Sequence, residues 1–216
     1  MARRNTRELI LQTSLALFNE WGEPNVTTNH IADEADISPG NLYYHFRSKD
    51  DIVLELFKRF LVRFQPLIEV PPDVLFEAED LWFQLHMSFE IKGEFRFLYR
   101  NLDDILLRYP DIRRSYRRLL QLKRSALAAI CLTLFQRRVM QISEVQMEGL
   151  IDNLTLTLNY WFNYDQLLQD SRAPQVSILQ GVLQIMTAIS PYLGEDQLDF
   201  YTDCREIYQR MLESEN

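Results

Sequence analysis

Thr27-Thr28-Asn29-His30-Ile31-Ala32-Asp33-Glu34-Ala35-Asp36-Ile37-Ser38-Pro39-Gly40-Asn41-Leu42-Tyr43-Tyr44-His45-Phe46 is the stretch that decides the fold of this chain. Thr27 and Ser38 are both residues whose side-chain oxygen can accept a free N–H at a helix start. Pro39 follows in the first helical position, where its missing N–H costs nothing. Ile31, Ala32 and Ala35 in the first segment, and Leu42 and Phe46 in the second, recur at helical spacing and turn inward. Tyr43, Tyr44 and His45 cannot all join them. The spacing predicts two short helices joined by a tight turn, the second capped and exposing aromatic, His and Asn side chains. A helix held in that way is built to enter a groove of DNA.

Upstream, a helix is expected from about Thr6 to Trp21, with Ile10, Ser14, Leu17, Phe18 and Trp21 on one face and Gly22 as its left-handed stop. Downstream, Ser48 starts a helix with Asp51 three residues on and runs through Ile52, Leu56, Phe60 and Phe64 to Pro66. Pro71-Pro72-Asp73 breaks the chain before a helix carrying Ala78, Trp82, Leu85 and Phe89, which Gly93 ends. Pro110 ends the next, and Asp111 opens a long basic-faced helix to about Arg138. Ser143 caps another (Leu150, Ile151, Leu154, Leu158, Trp161, Phe162), Pro174 opens its successor (Ile178, Val182, Ile185, Ile189), and residues 197–212 form the last. With no strand-like alternation and no repeat, the fold class is all-α: a three-helix unit over residues 1–47, then a larger helical body over 48–216.

Composition constrains the rest. The 216 residues are 47% apolar with only 6 Gly and 8 Pro, enough for a substantial core. The net charge of −8 does not advertise nucleic acid, and residues 1–50 carry five basic against seven acidic side chains. Phosphate contact is local, however, and Arg3, Arg4, Arg47 and Lys49 lie in the N-terminal arm or just past the exposed helix. Cys131 and Cys204 form neither a zinc motif nor a disulfide framework and read as reduced, buried thiols. Met1-Ala2-Arg3-Arg4 runs straight into an amphipathic helix, so no signal peptide is expected. No apolar run approaches the roughly 18 residues of a membrane span. These readings place the chain in the cytoplasm. His30, His45 and His86 have no metal-ligand spacing, and there is no Gly-rich phosphate loop or nucleophile elbow. No enzyme, metal or cofactor is expected.

Within the deciding stretch each exposed residue has a role that its chemistry suits. Ser38 and Gly40 permit close backbone approach, and Pro39 offers an apolar surface to a thymine methyl. Asn29 and Asn41 can pair with base edges. Tyr43 can stack on a sugar or touch a methyl while its hydroxyl reaches a phosphate. Thr27 and Thr28 sit where free N–H groups attract the phosphate backbone. His45, Arg47 and Lys49 complete a clamp that positions without specifying.

At these residues the chain resembles the TetR/AcrR family of bacterial transcriptional repressors. The matches are Gly22, Thr27, Ile31-Ala32, Ser38, Gly40, Leu42-Tyr43, His45-Phe46 and Lys49; the departures are Asp36 for the usual turn Gly and Ser14 for a small apolar residue. The likeness covers about residues 5–55. It implies DNA contacts at Thr27, Thr28, Asn29, Pro39, Gly40, Asn41, Tyr43, Tyr44, His45 and Lys49, with Ser38 at the helix entrance. Two alternatives stay open: Tyr44 packing between domains, and Thr27 acting only as a cap. The wording from Gly22 to Thr27 and from Ile37 to Phe46 is also similar to a subgroup linked to fatty-acid-derived polymer metabolism, which implies an apolar or fatty-acid-like effector.

The resemblance further implies that residues 48–216 form a ligand-binding and dimerisation domain. Homodimerisation is expected through the helices at about 143–170 and 174–190, whose apolar faces suit a four-helix bundle with a twin chain. The same faces have the alternative of packing within one chain. Candidate ligand contacts are Trp82, His86, Phe89, Phe97, Asn101, Tyr116, Tyr160 and Tyr164, an apolar lining with polar anchors, although aromatic stripes at helical spacing also build ordinary cores. Arg96, Arg100, Arg113, Arg114, Arg117 and Arg118 suit either an anionic ligand or a solvated face. The expected protein is a homodimeric repressor released from a palindromic operator by a small-molecule effector. The competing reading is an interaction scaffold that retains the helix-turn-helix without specific DNA binding.

Overall fold

Side-chain caps start four of the helices in this computed structural model, which describes residues 6–69, 78–169 and 173–215. Eleven helices occur among them: α1 (Thr6–Trp21), α2 (Thr28–Glu34), α3 (Pro39–His45), α4 (Lys49–Ile68), α5 (Ala78–Glu94), α6 (Phe97–Arg100), α7 (Leu102–Arg108), α8 (Pro110–Gln136), α9 (Glu144–Leu168), α10 (Pro174–Ile189) and α11 (Leu198–Ser214). Thr27, Ser38 and Ser48 each accept from a backbone N–H three residues on. Ser143 forms a full capping box with Gln146. Pro39, Pro110 and Pro174 stand in the first turns of α3, α8 and α10, as their fixed φ favours. The expected all-α class holds, with no strand among the described residues.

Three local expectations change. Trp21 is 60% exposed, and Leu11 fills the buried stripe of α1 beside Ile10, Ser14 and Phe18. Trp21 ends its helix at the Gly22 turn, beyond the reach of the core. The fourth helix does not stop at Pro66 but runs to Ile68. Only one bond is lost there, and Glu69 N–H closes the last turn on Gln65 O at 3.0 Å. The single helix expected between Gly93 and Pro110 is two, α6 and α7, because Asn101 leaves helical geometry at φ −119°, ψ 39°. The Pro71-Pro72-Asp73 break lies outside the described residues.

Helices α1, α2 and α3 pack together as a head, and α4 leads from it into the body. There α9 packs between α8 and α10, while α10 also contacts α5 and α11. One buried apolar cluster runs from Ile10 in α1 to Tyr208 in α11. Phe60 lies at its centre, with ring centroids 5.2 Å from Phe64 and 5.8 Å from both Phe95 and Tyr99. The α5–α10 contact needs small residues: a Cβ at Gly181 would fall 2.3 Å from the Phe89 ring, and one at Gly93 2.5 Å from Ile178. No helix among the described residues is long and apolar enough to cross a membrane.

Candidate DNA-binding surface and effector cavity

The head presents α3 outward on a rigid footing. Leu42 and Phe46 anchor it in the core, while Ser38, Pro39, Gly40, Asn41, Tyr43 and Tyr44 are exposed. Thr28 Oγ1 and the Tyr43 hydroxyl lie 2.9 Å apart, pinning the start of α2 to the middle of α3. Tyr44 is 84% exposed, with its ring edge-on to His45, so it does not pack between head and body. Thr27 caps α2 by accepting from His30 N–H, and both Thr27 and Asn29 are exposed beside the α3 entrance. His45, Arg47 and Lys58 border a shallow cleft next to α3, and Arg7 lies over the Phe46 ring at 5.0 Å. Lys58 was not singled out from sequence; its only signal is one basic residue on the exposed side of α4. Ten of the eleven expected DNA-facing residues thus lie exposed or half-exposed on α2, on α3 or at their N-caps.

Lys49, the eleventh, faces inward. Its Nζ donates to the carbonyls of Glu23 and Val26 at 2.8 and 2.9 Å and lies 2.8 Å from the Glu23 carboxylate. Glu23 is buried, and it also accepts from the Tyr109 hydroxyl at 2.7 Å. Arg108 approaches the same carboxylate at 3.6 Å. Burial, reinforced by the bond to Glu23, pushes the Tyr109 hydroxyl above its ordinary pKa and keeps it a donor. One buried carboxylate therefore joins the head, the start of α4 and the start of α8. Gly22 shapes this turn with φ 80°, left-handed backbone that a side chain would strain. A second joint lies at Asn19, whose amide donates to Glu94 O at 2.7 Å while its oxygen accepts from Phe97 N–H at 3.0 Å. Arg100 donates to Asn19 O at 3.1 Å. Burial lowers the pKa of Arg96 and Arg100, which sit at this joint and not in the cavity below. Arg113, Arg114, Arg117 and Arg118 are exposed.

A partly open cavity of about 220 Å³ enters the body, lined by residues of α4, α5, α8, α9, α10 and α11. Its wall is almost wholly aliphatic and aromatic, with Trp82 the one residue of the eight expected ligand contacts that lines it. The other seven are held elsewhere. His86 Nδ1 bonds the Tyr208 hydroxyl at 2.8 Å, and Nε2 lies 3.4 Å from Glu90. Phe89 packs against Gly181, Phe97 packs tilted against Phe18 with ring centroids 5.4 Å apart, and Asn101 lies beside Gly22. Tyr116 is buried and donates to Asn159 Oδ1 at 2.9 Å. Tyr160 and Tyr164 are exposed.

The cavity residues missed from sequence include two lysines, Lys92 and Lys123. Both have a signal in retrospect: Lys123 falls on the buried stripe of α8 at positions 112, 116, 119 and 123, and Lys92 follows Leu85 and Ser88 on α5. Reading Lys as solvent-facing hid them.

On the outer side of α9, Val145, Leu156, Tyr160, Tyr164 and Leu167 are exposed at near-helical spacing. Most apolar residues of α10 are buried within their own chain, leaving Pro174, Gln184 and Thr187 as its fully exposed positions.

Residues 10–56 match the family model described as bacterial regulatory proteins, tetR family, and residues 59–201 match one described as bacterial transcriptional repressor. Over 55 residues the chain is 40% identical to the HTH-type transcriptional repressor KstR2 of Mycolicibacterium smegmatis, covering 26% of this chain and 27% of that protein. Over 52 residues it is 35% identical to the probable acrEF/envCD operon repressor of Escherichia coli K12, 24% of each. The match thus spans about a quarter of the length of those relatives. A transcriptional regulator of this type from Marinobacter aquaeolei VT8 is similar throughout, with a TM-score of 0.84 and 33% identity over 94% of this chain and 98% of that one.

Proposed function

The chain belongs to the tetR family of bacterial transcriptional regulators, and from that premise we propose that it is a homodimeric repressor released from a palindromic operator by a small amphipathic effector. In this reading residues 1–47 read DNA, and residues 48–216 bind the effector and the partner protomer. Its place is the cytoplasm, where the DNA lies. The observation that carries it is α3, exposed along its length yet pinned to α2 through Thr28 and Tyr43. A recognition helix must be both accessible and fixed, because base readout depends on side chains held at set positions in the groove. Asn29, Pro39, Gly40, Asn41, Tyr43 and Tyr44 face the duplex. Thr27, Thr28, Ser38, His45, Arg47 and Lys58 seat the phosphates.

The α9 stripe through Leu156, Tyr160 and Tyr164, with the neighbouring edge of α10, is the surface that meets the second protomer. A twofold dimer would then set two α3 helices about one DNA turn apart, roughly 34–36 Å. The cavity is the effector site. Filling it displaces α5 and α8, and those helices hold the head through Asn19 and through Glu23. An effector acts only by binding the DNA-incompetent spacing more tightly than the competent one.

Selection of bound sequences from a random duplex library at physiological salt tests the reading. A single palindromic motif whose affinity falls steeply with added salt is the expected result. A folded protein that selects no motif, before and after ligand is stripped by refolding, would overturn it.

A further inference from the structure

Lys92 and Lys123 are 1% and 3% exposed, and both line the cavity. No Asp or Glu lines it with them. Among the described residues Lys92 Nζ forms no hydrogen bond or ion pair; it rests over the rings of Phe64 and Phe89 at 5.3 and 5.0 Å. Lys123 Nζ has only neutral partners, Tyr99 Oη at 3.2 Å and Asn159 Oδ1 at 2.9 Å, and it lies 4.8 Å from the centroid of the same Phe64 ring. Two amines thus share one aromatic ring at the wall of an otherwise aliphatic space.

A buried ammonium without a counter-charge is among the most costly groups a fold can hold. Here burial lowers the pKa of Lys123 to about 7, and burial together with the Lys123 charge lowers that of Lys92. Ring faces and neutral oxygens offset only part of the cost. What the pair lacks is an anion, and the space beside it has room for one attached to a chain. Groups so perturbed and pointed into a cavity mark a site of binding.

We propose that the cavity binds an aliphatic carboxylate, its head bridging Lys92 Nζ and Lys123 Nζ and its tail lying among apolar residues such as Leu127, Ile130, Leu158 and Ile185. The assignment rests on the effector reading above and narrows its chemistry. A carboxylate accepts from both amines at once, and such charge-assisted bonds are the strong kind. An uncharged ligand of the same shape fills the tail region and leaves both amines without a counter-charge.

Calorimetric titration of the full-length protein with decanoate and with decanol, two ligands of one chain length, is the test. Decanoate is expected to bind at least about tenfold tighter. Lys92→Met should weaken decanoate about ten- to a hundredfold while moving decanol less than about threefold. Lys123→Met, made separately and checked with the first by thermal melting, guards against an effect of misfolding. Equal binding of acid and alcohol, or a loss of both together in melting-competent variants, overturns the carboxylate assignment and leaves the effector reading standing. Binding of neither also overturns it. A release screen of the operator complex with uncharged apolar compounds then decides the broader reading: release by one retains it, and release by none removes it as well.

Discussion

Lys49 in the head and Lys92 in the body are both withdrawn from solvent, and they do opposite things. Lys49, with 14% of its side chain exposed, meets a buried carboxylate and two carbonyls and closes the joint under α3. Lys92, deeper still, meets only rings and open space. A buried charge stabilises when its partner is supplied by the fold and destabilises when it is not. The head is therefore a finished object, rigid before it meets DNA. The body leaves an amine without a counter-charge at the wall of its cavity.

The sharpest way to break this comparison is to remove each amine. Lys49→Ala leaves the Glu23 carboxylate buried beside Tyr109, with Arg108 at a distance, and should cost about 3–5 kcal/mol in denaturant unfolding. No change in stability would mean that Lys49 is free to serve DNA instead. Lys92→Met should raise the stability of the ligand-free protein, by on the order of 1–3 kcal/mol, since a desolvated donor without partners is lost. A destabilised variant would show that the fold itself satisfies this amine.

Tyr43→Ala removes a DNA-facing ring of α3 together with its pin to Thr28. Operator affinity measured by fluorescence anisotropy should fall about ten- to a hundredfold, with the dimer intact by ultracentrifugation. Undiminished affinity would place the reading surface elsewhere on the head.

The pH dependence of the ligand-free protein sharpens the body side. Lys123 is protonated in the unfolded chain up to its ordinary pKa of 10.5, but in the fold it releases its proton near pH 7. Between those values the unfolded state binds more protons, so stability should rise from about pH 7 toward pH 9 and lie on a low plateau below. Lys123→Met should flatten that rise in thermal melts, and an unchanged slope would assign it to other groups. The smallest effect is expected at Asp36, which holds φ 52° in the α2–α3 turn. Asp36→Gly should stabilise by about 0.5–1 kcal/mol in urea titration.

The head was legible in sequence because its signals are local. Thr27, Ser38 and Pro39 act on groups within three residues, and the Leu42 and Phe46 pattern leaves Tyr43 and Tyr44 outside by elimination. Lys49 was misplaced by the same locality: next to a recognition helix a lysine reads as a phosphate clamp, and its true partner, Glu23, lies 26 positions away. The cavity was nearly illegible. His86, Phe89, Phe97 and Tyr116 have the composition of a pocket lining, but each satisfies itself against a helix that sequence spacing cannot place. Tyr160 and Tyr164 belong to α9 as foreseen, yet they lie on its outward face, because the inward face goes to Leu154, Leu158, Trp161 and Phe162.

Sequence by itself determined most of the helices, several of their caps and the exposed face of α3, since hydrogen bonds within a turn and a 3.6-residue period are properties of neighbouring residues. Only the tertiary structure decided where the cavity lies, which amines it swallows and how Glu23 ties the head to the body. Those depend on the approach of distant helices, and the energy of a buried charge is set by what stands across the gap rather than by what stands next in the chain.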